Sequence, residues 1–190
     1  VSSTCEMVTE LVQYIEDDVR INKLTAEGLL AGISLDTKNF AFKTGVRTFE
    51  AASYLKKSGA DTIEVKKLFN SDIKDFITKA EIIQNAKVIN NNICLAYTKT
   101  ETDNINIVIA QAADELLNIK EVEASFVLAR KDDRVFISAR SLGNINVHVL
   151  MENLGGGGHR DMAGAQLDTS LEKAYEMVKD TIQTCIKEEE

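Results

Sequence analysis

The hydrophobic pattern of this chain changes period once, after Ala86, and that change constrains the fold more than any other feature. Before it, apolar residues recur at helical spacing; after it, short strand-like runs alternate with helical stretches. Ser3 and Glu6 form a Ser-x-x-Glu capping box, and Met7, Val8, Leu11, Val12 and Ile15 follow on one face, so a helix starts almost at the first residue. Further helices are expected over Thr25–Ser34, over Thr48–Lys57 with Gly59 as the stop, and from Asp61 or Thr62 to near Phe69. Ser71–Ala86 reads as a longer helix with Ile73, Phe76, Ile77, Ala80 and Ile83 on its inner face.

Beyond Ala86, Lys87–Ile89 and Ile93–Tyr97 flank the turn Asn90-Asn91-Asn92. Asn104–Leu117 is helical, and Glu121–Arg130 and Arg134–Arg140 form a second hairpin around Lys131-Asp132-Asp133. A helix at Ile145–Leu154, the run Gly155–Gly158 and a strand at Ala163–Leu167 follow. Ser170–Lys187 closes the chain as an amphipathic helix, with Leu171, Ala174, Tyr175, Val178, Ile182 and Ile186 inward. The fold class is α/β: a mostly helical front (1–78), a linker-helix end (79–86) and an α+β rear domain (87–190).

Charge excludes one class of partner. With 22 Lys+Arg against 30 Asp+Glu the net charge is −8, which argues against sequence-blind binding to duplex DNA. A small anion in a locally positive cleft is still compatible with it. No apolar run nears the ~18 residues of a membrane span, and no charged-then-apolar leader opens the chain, so no membrane contact by this segment is expected. Cys5, Cys94 and Cys185 are odd in number, with no CxxC, and read as reduced thiols of a cytoplasmic protein. Proline is absent, so turns rest on Gly, Asn and Asp. The chain opens Val1-Ser2-Ser3 without methionine, as a cut through a longer protein would, or as processing would leave it.

Gly155-Gly156-Gly157-Gly158-His159 is the most unusual local feature. An ordered glycine costs about 0.5–1 kcal/mol relative to Ala, so four in a row need a reason. One reading is a backbone N–H nest for an anion, with His159 as an added donor; the other is a flexible linker. In Ile137-Ser138-Ala139-Arg140-Ser141, Ile137 and Ala139 facing the core put Ser138 and Arg140 together on the opposite face. That pair suits a phosphate or a base edge, or else Arg140 is simply a solvated surface residue. Between Arg130 and Arg160 basic residues outnumber acidic ones five to three, which favours an anionic ligand. Asp36, just past a helix, either binds a hard cation or caps the next turn; on its own the capping reading is favoured. His148 reads as a structural or surface histidine. Two histidines and no HxxxH, DxD or HD pair cannot build a two-metal phosphodiester site within this chain.

These residues resemble a known family. Gly155–His159 with Ala163-Gly164 resembles the GGGGHxxAAG signature of the domain that accompanies DHH phosphoesterases, and Ile137–Ser141 resembles the (V/I)S.RS strand before it. In the front half, Leu30–Phe40 is similar to the AGI..DT..F motif of the DHH domain, continued through Thr44–Phe49, Ala51–Leu55 and Gly59–Asp61. Ser2–Glu6 resembles the segment shortly after the DHH triplet. Ala110–Asp114 and Ser138–Gly143 fit the membrane-anchored cyclic di-AMP phosphodiesterase branch.

The resemblance implies a C-terminal fragment of a manganese-dependent enzyme that hydrolyses cyclic di-AMP to linear pApA. The fragment would hold the end of a DHH domain and a complete DHH-associated domain with a mixed sheet. It implies that Asp36 is a metal ligand, and that Arg140 and Gly155, Gly156, Gly157, Gly158 and His159 hold the nucleotide. His159 and Arg140 would stabilise developing negative charge, and Ser138 and Ser141 are further binding candidates. The other metal ligands would lie upstream of Val1, so this chain alone is expected to be inactive. Its partners would be cyclic di-AMP or pApA, the upstream DHH half and, in a dimeric parent, a second copy. Met162 departs from the small residue often found after GGGGHxx. The rival readings are a DHH oligoribonuclease or pApA phosphatase, and a non-catalytic single-stranded nucleic-acid module; the −8 charge counts against the module.

Overall fold

The computed structural model describes residues 1–15, 21–90 and 92–189, with side chains as far as Cys185 in the last helix. The turn residue Asn91, the inward side chain expected at Ile186 and the last residue of the 87–190 span thus lie outside the described residues. The chain forms two compact units, Val1–Asn70 and Ser71–Glu190.

The first unit is helical: α1 (Thr4–Ile15), α2 (Lys23–Asp36), α3 (Val46–Lys57) and α4 (Thr62–Lys67). Its core is Ala26, Leu30, Ile33, Ala51, Leu55, Ala60 and Val65. Caps set the ends. Asn22 accepts from Thr25 N and starts α2 earlier than the pattern suggests, and Asp61 rather than Thr62 caps α4. Gly59, at φ +101°, closes α3 while Ala60 N donates to Leu55 O at 3.1 Å. Half of the expected capping box forms: Glu6 N donates to Ser3 Oγ at 3.0 Å. The Glu6 carboxylate turns instead to Ser2 and to Thr48 Oγ1 of α3, tying the two helices together.

The second unit opens with α5 (Ile73–Gln84). Its sheet contains β1 (Lys87–Ile89), β2 (Ile93–Thr98), β3 (Ala124–Lys131), β4 (Arg134–Ser141), β5 (Gly157–Gly158) and β6 (Met162–Leu167). The strand order is β1-β2-β3-β4-β6-β5. The sheet is mixed: β2 and β3 run parallel, joined through α6 (Ile105–Leu116), and the other neighbours are antiparallel. Strand alternation divides two cores. Phe126, Leu128, Ile137 and Ala139 face α7 (Val147–Glu152) and α8 (Leu171–Glu189), where Leu171, Ala174, Val178 and Ile182 are buried as expected. Cys94, Ala96, Val127 and Ala129 face α5 and α6. The result is a helix–sheet–helix sandwich.

Two helices turn the other way from the pattern. In α5 the buried residues are Asp75, Thr78 and Ile82, while Ile73, Phe76 and Ile77 are exposed. A polar bond decides this: Asn104 at the start of α6 donates to Asp75 Oδ2 at 3.0 Å, and Ile82 fills the core beside it. In α1, Glu6 and Thr9 are buried and Met7, Val8, Leu11 and Ile15 are exposed. The sequence places the domain boundary within 78–86; the units divide at Asn70, because all of α5 packs with the second unit. Among the described residues no helix is long and apolar enough to cross a membrane.

Candidate nucleotide site

The glycine run is ordered and built into the sheet. Its first residues end α7: Gly156 N donates to Met151 O at 2.8 Å and Gly155 N to Glu152 O at 2.9 Å, with Gly155 at φ +76°. This is a Schellman ending, which a side chain at Gly155 would strain. Gly157 and Gly158 then form β5 and pair with Gly164 and Ala163. His159 N donates to Met162 O at 2.6 Å and Met162 N returns to His159 O at 3.3 Å, closing a two-residue turn at Arg160-Asp161. The amides of Gly155, Gly156 and His159 are therefore committed to protein carbonyls, and the run is not an open nest. Because His159 and Met162 exchange both bonds, the intervening Gly158 amide points to the open edge of the sheet.

Close approach explains the glycine identities. A β-carbon at Gly156 would lie 2.2 Å from Gly164 O, and one at Gly164 would lie 2.8 Å from Ile137 O. The three strands can meet only because these side chains are missing.

Register then places the candidate side chains. Arg140 pairs with Met162, which pairs in turn with His159; Ser138 pairs with Gly164, and Gly164 with Gly157. Directly opposed residues share a face, so Ser138, Arg140, Met162 and His159 lie on one face around a floor of Gly157 and Gly164. Arg140 and His159 are two strand spacings apart, roughly 10 Å. His159 is exposed and Met162 is 46% exposed between them. A cleft of about 380 Å³ adjoins the floor, lined by Phe136, Gly155, Gly156, Gly164 and Gln166.

Arg140 is not a solvated surface arginine. Its side chain is 11% exposed, Nη1 donates to Ser138 Oγ at 3.1 Å and to Ala139 O at 3.0 Å, and Nε lies 3.4 Å from Asp114 Oδ1. Ser138, itself buried, braces the guanidinium. Ser141 is not brought to this face; alternation points it the other way, and its hydroxyl accepts from Gly143 N at 2.9 Å. The turn docks on the following loop through Arg160 Nε to Gly143 O, 3.0 Å, and Ser141 N to Asp161 O, 2.9 Å. His148 Nε2 lies 3.8 Å from Glu152 in α7. Sequence reasoning left out Asp114 and Gln166; for Asp114 the signal was its place at the end of the Ala110–Asp114 stretch.

Asp36 lies in the first unit, exposed at the last turn of α2. Among the described residues it does not cap the turn that follows. Thr37 does: its hydroxyl donates to Ile33 O at 2.7 Å and accepts from Phe40 N at 3.0 Å. Among the described residues no group of three or more His, Cys, Asp or Glu side chains converges to hold a metal ion. The residues present therefore do not fit a two-metal centre. A cavity of about 680 Å³ in the first unit, with Leu30, Phe40, Phe49, Val65 and Phe69 among its lining beside Lys56 and Lys66, has no such cluster either among the described residues.

The profile of the DHHA1 domain matches residues 90–188, more than half of the chain. The chain belongs to the DHHA1 domain family. The matched span covers β2 to β6, the glycine run and α8 up to residue 188, so it lies within the second unit. Over 185 residues the chain is 46% identical to the cyclic-di-AMP phosphodiesterase GdpP of Bacillus subtilis, covering 95% of this chain and 28% of that protein. It is 43% identical over 175 residues to the cyclic-di-AMP phosphodiesterase PdeA of Listeria monocytogenes, covering 91% of this chain and 27% of that one. The chain thus spans little more than a quarter of these relatives. An exopolyphosphatase-related protein from Bacteroides fragilis shares the fold, with a TM-score of 0.86, 23% identity, and coverage of 97% of this chain and 57% of that one.

Proposed function

We propose that this chain is the C-terminal part of a DHH-family phosphodiesterase that hydrolyses cyclic di-AMP to linear pApA, and that its second unit binds the nucleotide. The observation that carries this is the row Arg140, Met162 and His159 beside the glycine floor, a basic and side-chain-poor face that suits a phosphodiester. Identity above 40% to the Bacillus and Listeria phosphodiesterases supports the choice of substrate.

In this reading a phosphate lies on the Gly157–Gly164 floor, where no β-carbon stands in the way. Arg140 faces it from one side and His159 from the other. The Gly158 amide offers a neutral donor at the sheet edge. Ser138 acts by holding Arg140, and Ser141 shapes the turn after β4. A guanidinium on one side and an imidazole N–H donor on the other suit the negative charge that develops as a phosphodiester is cleaved. Asp36 is assigned one manganese-ligand role in the parent, whose remaining ligands lie upstream. In this reading the first unit, Val1–Asn70, is the end of the DHH domain, and the second, Ser71–Glu190, carries the substrate-binding domain that the sequence pattern places at 87–190.

Calorimetric titration of the 190-residue chain tests it. Weak binding of pApA and cyclic di-AMP is expected, lost in His159→Ala and in Arg140→Ala, with no turnover when manganese is added. Binding that survives both substitutions would move the site elsewhere, and turnover by the pure chain would show that the metal half is not needed.

A further inference from the structure

Arg140 is almost buried, yet its Nε has no hydrogen-bond partner among the described residues. Such donors are uncommon in folded proteins, because the lost hydration is not replaced. The acceptor facing it is Asp114 of α6, at the ion-pair distance of 3.4 Å, too long for a good N–H···O bond. Nη1 is used by Ser138 and Ala139, and Nη2 is the corner that these three contacts do not use.

The carboxylate is itself held in place. Ser125 stands opposite Arg140 in the β3–β4 register and is fully buried. Its hydroxyl donates to Ala113 O at 2.6 Å, tying α6 to the sheet one residue before Asp114. Ala112 and Ala113 are both 0% exposed, so small side chains let the helix lie close against the strands. Two elements thus face the guanidinium, its own strand and α6, and the neighbouring strand holds α6 in place.

We propose that Asp114 is a positioning residue of the nucleotide site, holding the Arg140 guanidinium so that Nη2 faces a phosphate on the glycine floor. The Nε–Oδ1 gap closes to a hydrogen bond when the phosphate binds. The proposal rests on reading the second unit as a nucleotide site. The sign of one substitution separates positioning from mere proximity. A carboxylate near a phosphate repels it, so neutralising a bystander tightens binding. Neutralising a residue that orients the arginine loosens binding instead.

The test is an NMR titration of the 190-residue chain with pApA, following the Arg140 Nε–Hε signal. In the wild type that signal is ordered without ligand and shifts on binding. Asp114→Asn weakens pApA binding about tenfold and makes the Nε–Hε group mobile, while backbone signals away from the site stay in place. Ser125→Ala acts in the same direction with a smaller loss. Binding that is unchanged or tighter in Asp114→Asn, but lost in Arg140→Ala, overturns the positioning role and leaves the nucleotide site intact. Binding that is unchanged in Arg140→Ala, or missing in the wild type, overturns the site and this proposal with it. If Asp114→Asn does not fold, the wild-type Nε–Hε order and the Ser125→Ala affinity decide; a mobile wild-type signal is an overturning result.

Discussion

A single β-carbon separates the two jobs of the glycine run. At Gly156 it would stand 2.2 Å from Gly164 O, whereas at Gly157 it would meet nothing within 4 Å. Gly156→Ala must push strand from strand and should cost about 3 kcal/mol, read as a lower denaturant midpoint. Gly157→Ala should change stability by no more than ~0.5 kcal/mol. If a phosphate lies on the floor, Gly157→Ala also weakens pApA binding while the midpoint holds; equal affinity in that variant would remove the floor from the site. The residue type was readable from the sequence, because four glycines need a reason. That three of the amides in Gly155–His159 are already bonded was not readable, since it depends on the pairing of β5 with β6. Alternation correctly set Ser138 beside Arg140, but the partner Asp114 comes from a helix that local pattern cannot place.

At the scale of elements, Glu6 shows how a polar residue can take the place the apolar pattern assigns to others. It is 1% exposed, and burial by itself would raise the pKa of its carboxyl. Hydrogen bonds from Ser2 and Thr48 outweigh that and hold the group below its usual value of 4.5. The unfolded chain then takes up this proton at a higher pH than the folded one does. The contribution is therefore fully present above the ordinary carboxylate range and is lost as pH falls through the folded value. Glu6→Gln should be less stable near neutral pH, and its loss of stability on acidification should be shallower than the wild type's. Parallel acid limbs in denaturant titrations would count against this. Most elements follow from spacing and caps, with ends displaced by one to three residues. The inner faces of α1 and α5 do not, because in both helices a buried carboxylate with a specific partner decides the orientation. The parallel pairing of β2 with β3 is likewise unreadable from local pattern, because it depends on the crossover through α6.

At the scale of the molecule, the decisive fact is where α5 belongs. The change of period at Ala86 marks the first strand, and the local pattern places the boundary within 78–86. Packing sets the boundary at Asn70 instead, since Ile82 is 0% exposed in the core it shares with α6 and Asp75 holds Asn104. Both cores of the second unit, and every residue assigned to the nucleotide site, lie within Ser71–Glu190. A piece spanning 71–190 should therefore unfold in one transition and bind pApA as the whole chain does. A piece spanning 87–190 contains every strand but lacks Ile82, whose burial is worth about 2–3 kcal/mol. It also leaves Asn104 without its carboxylate and uncovers the outer face of α6, the helix that carries Asp114. It should be less stable by at least the isoleucine's share, and its affinity should fall if Arg140 depends on α6 for its orientation. Equal stability of the two pieces would return the boundary to the end of α5, within 78–86. Loss of binding in 71–190 would mean that the second unit does not contain the whole nucleotide site.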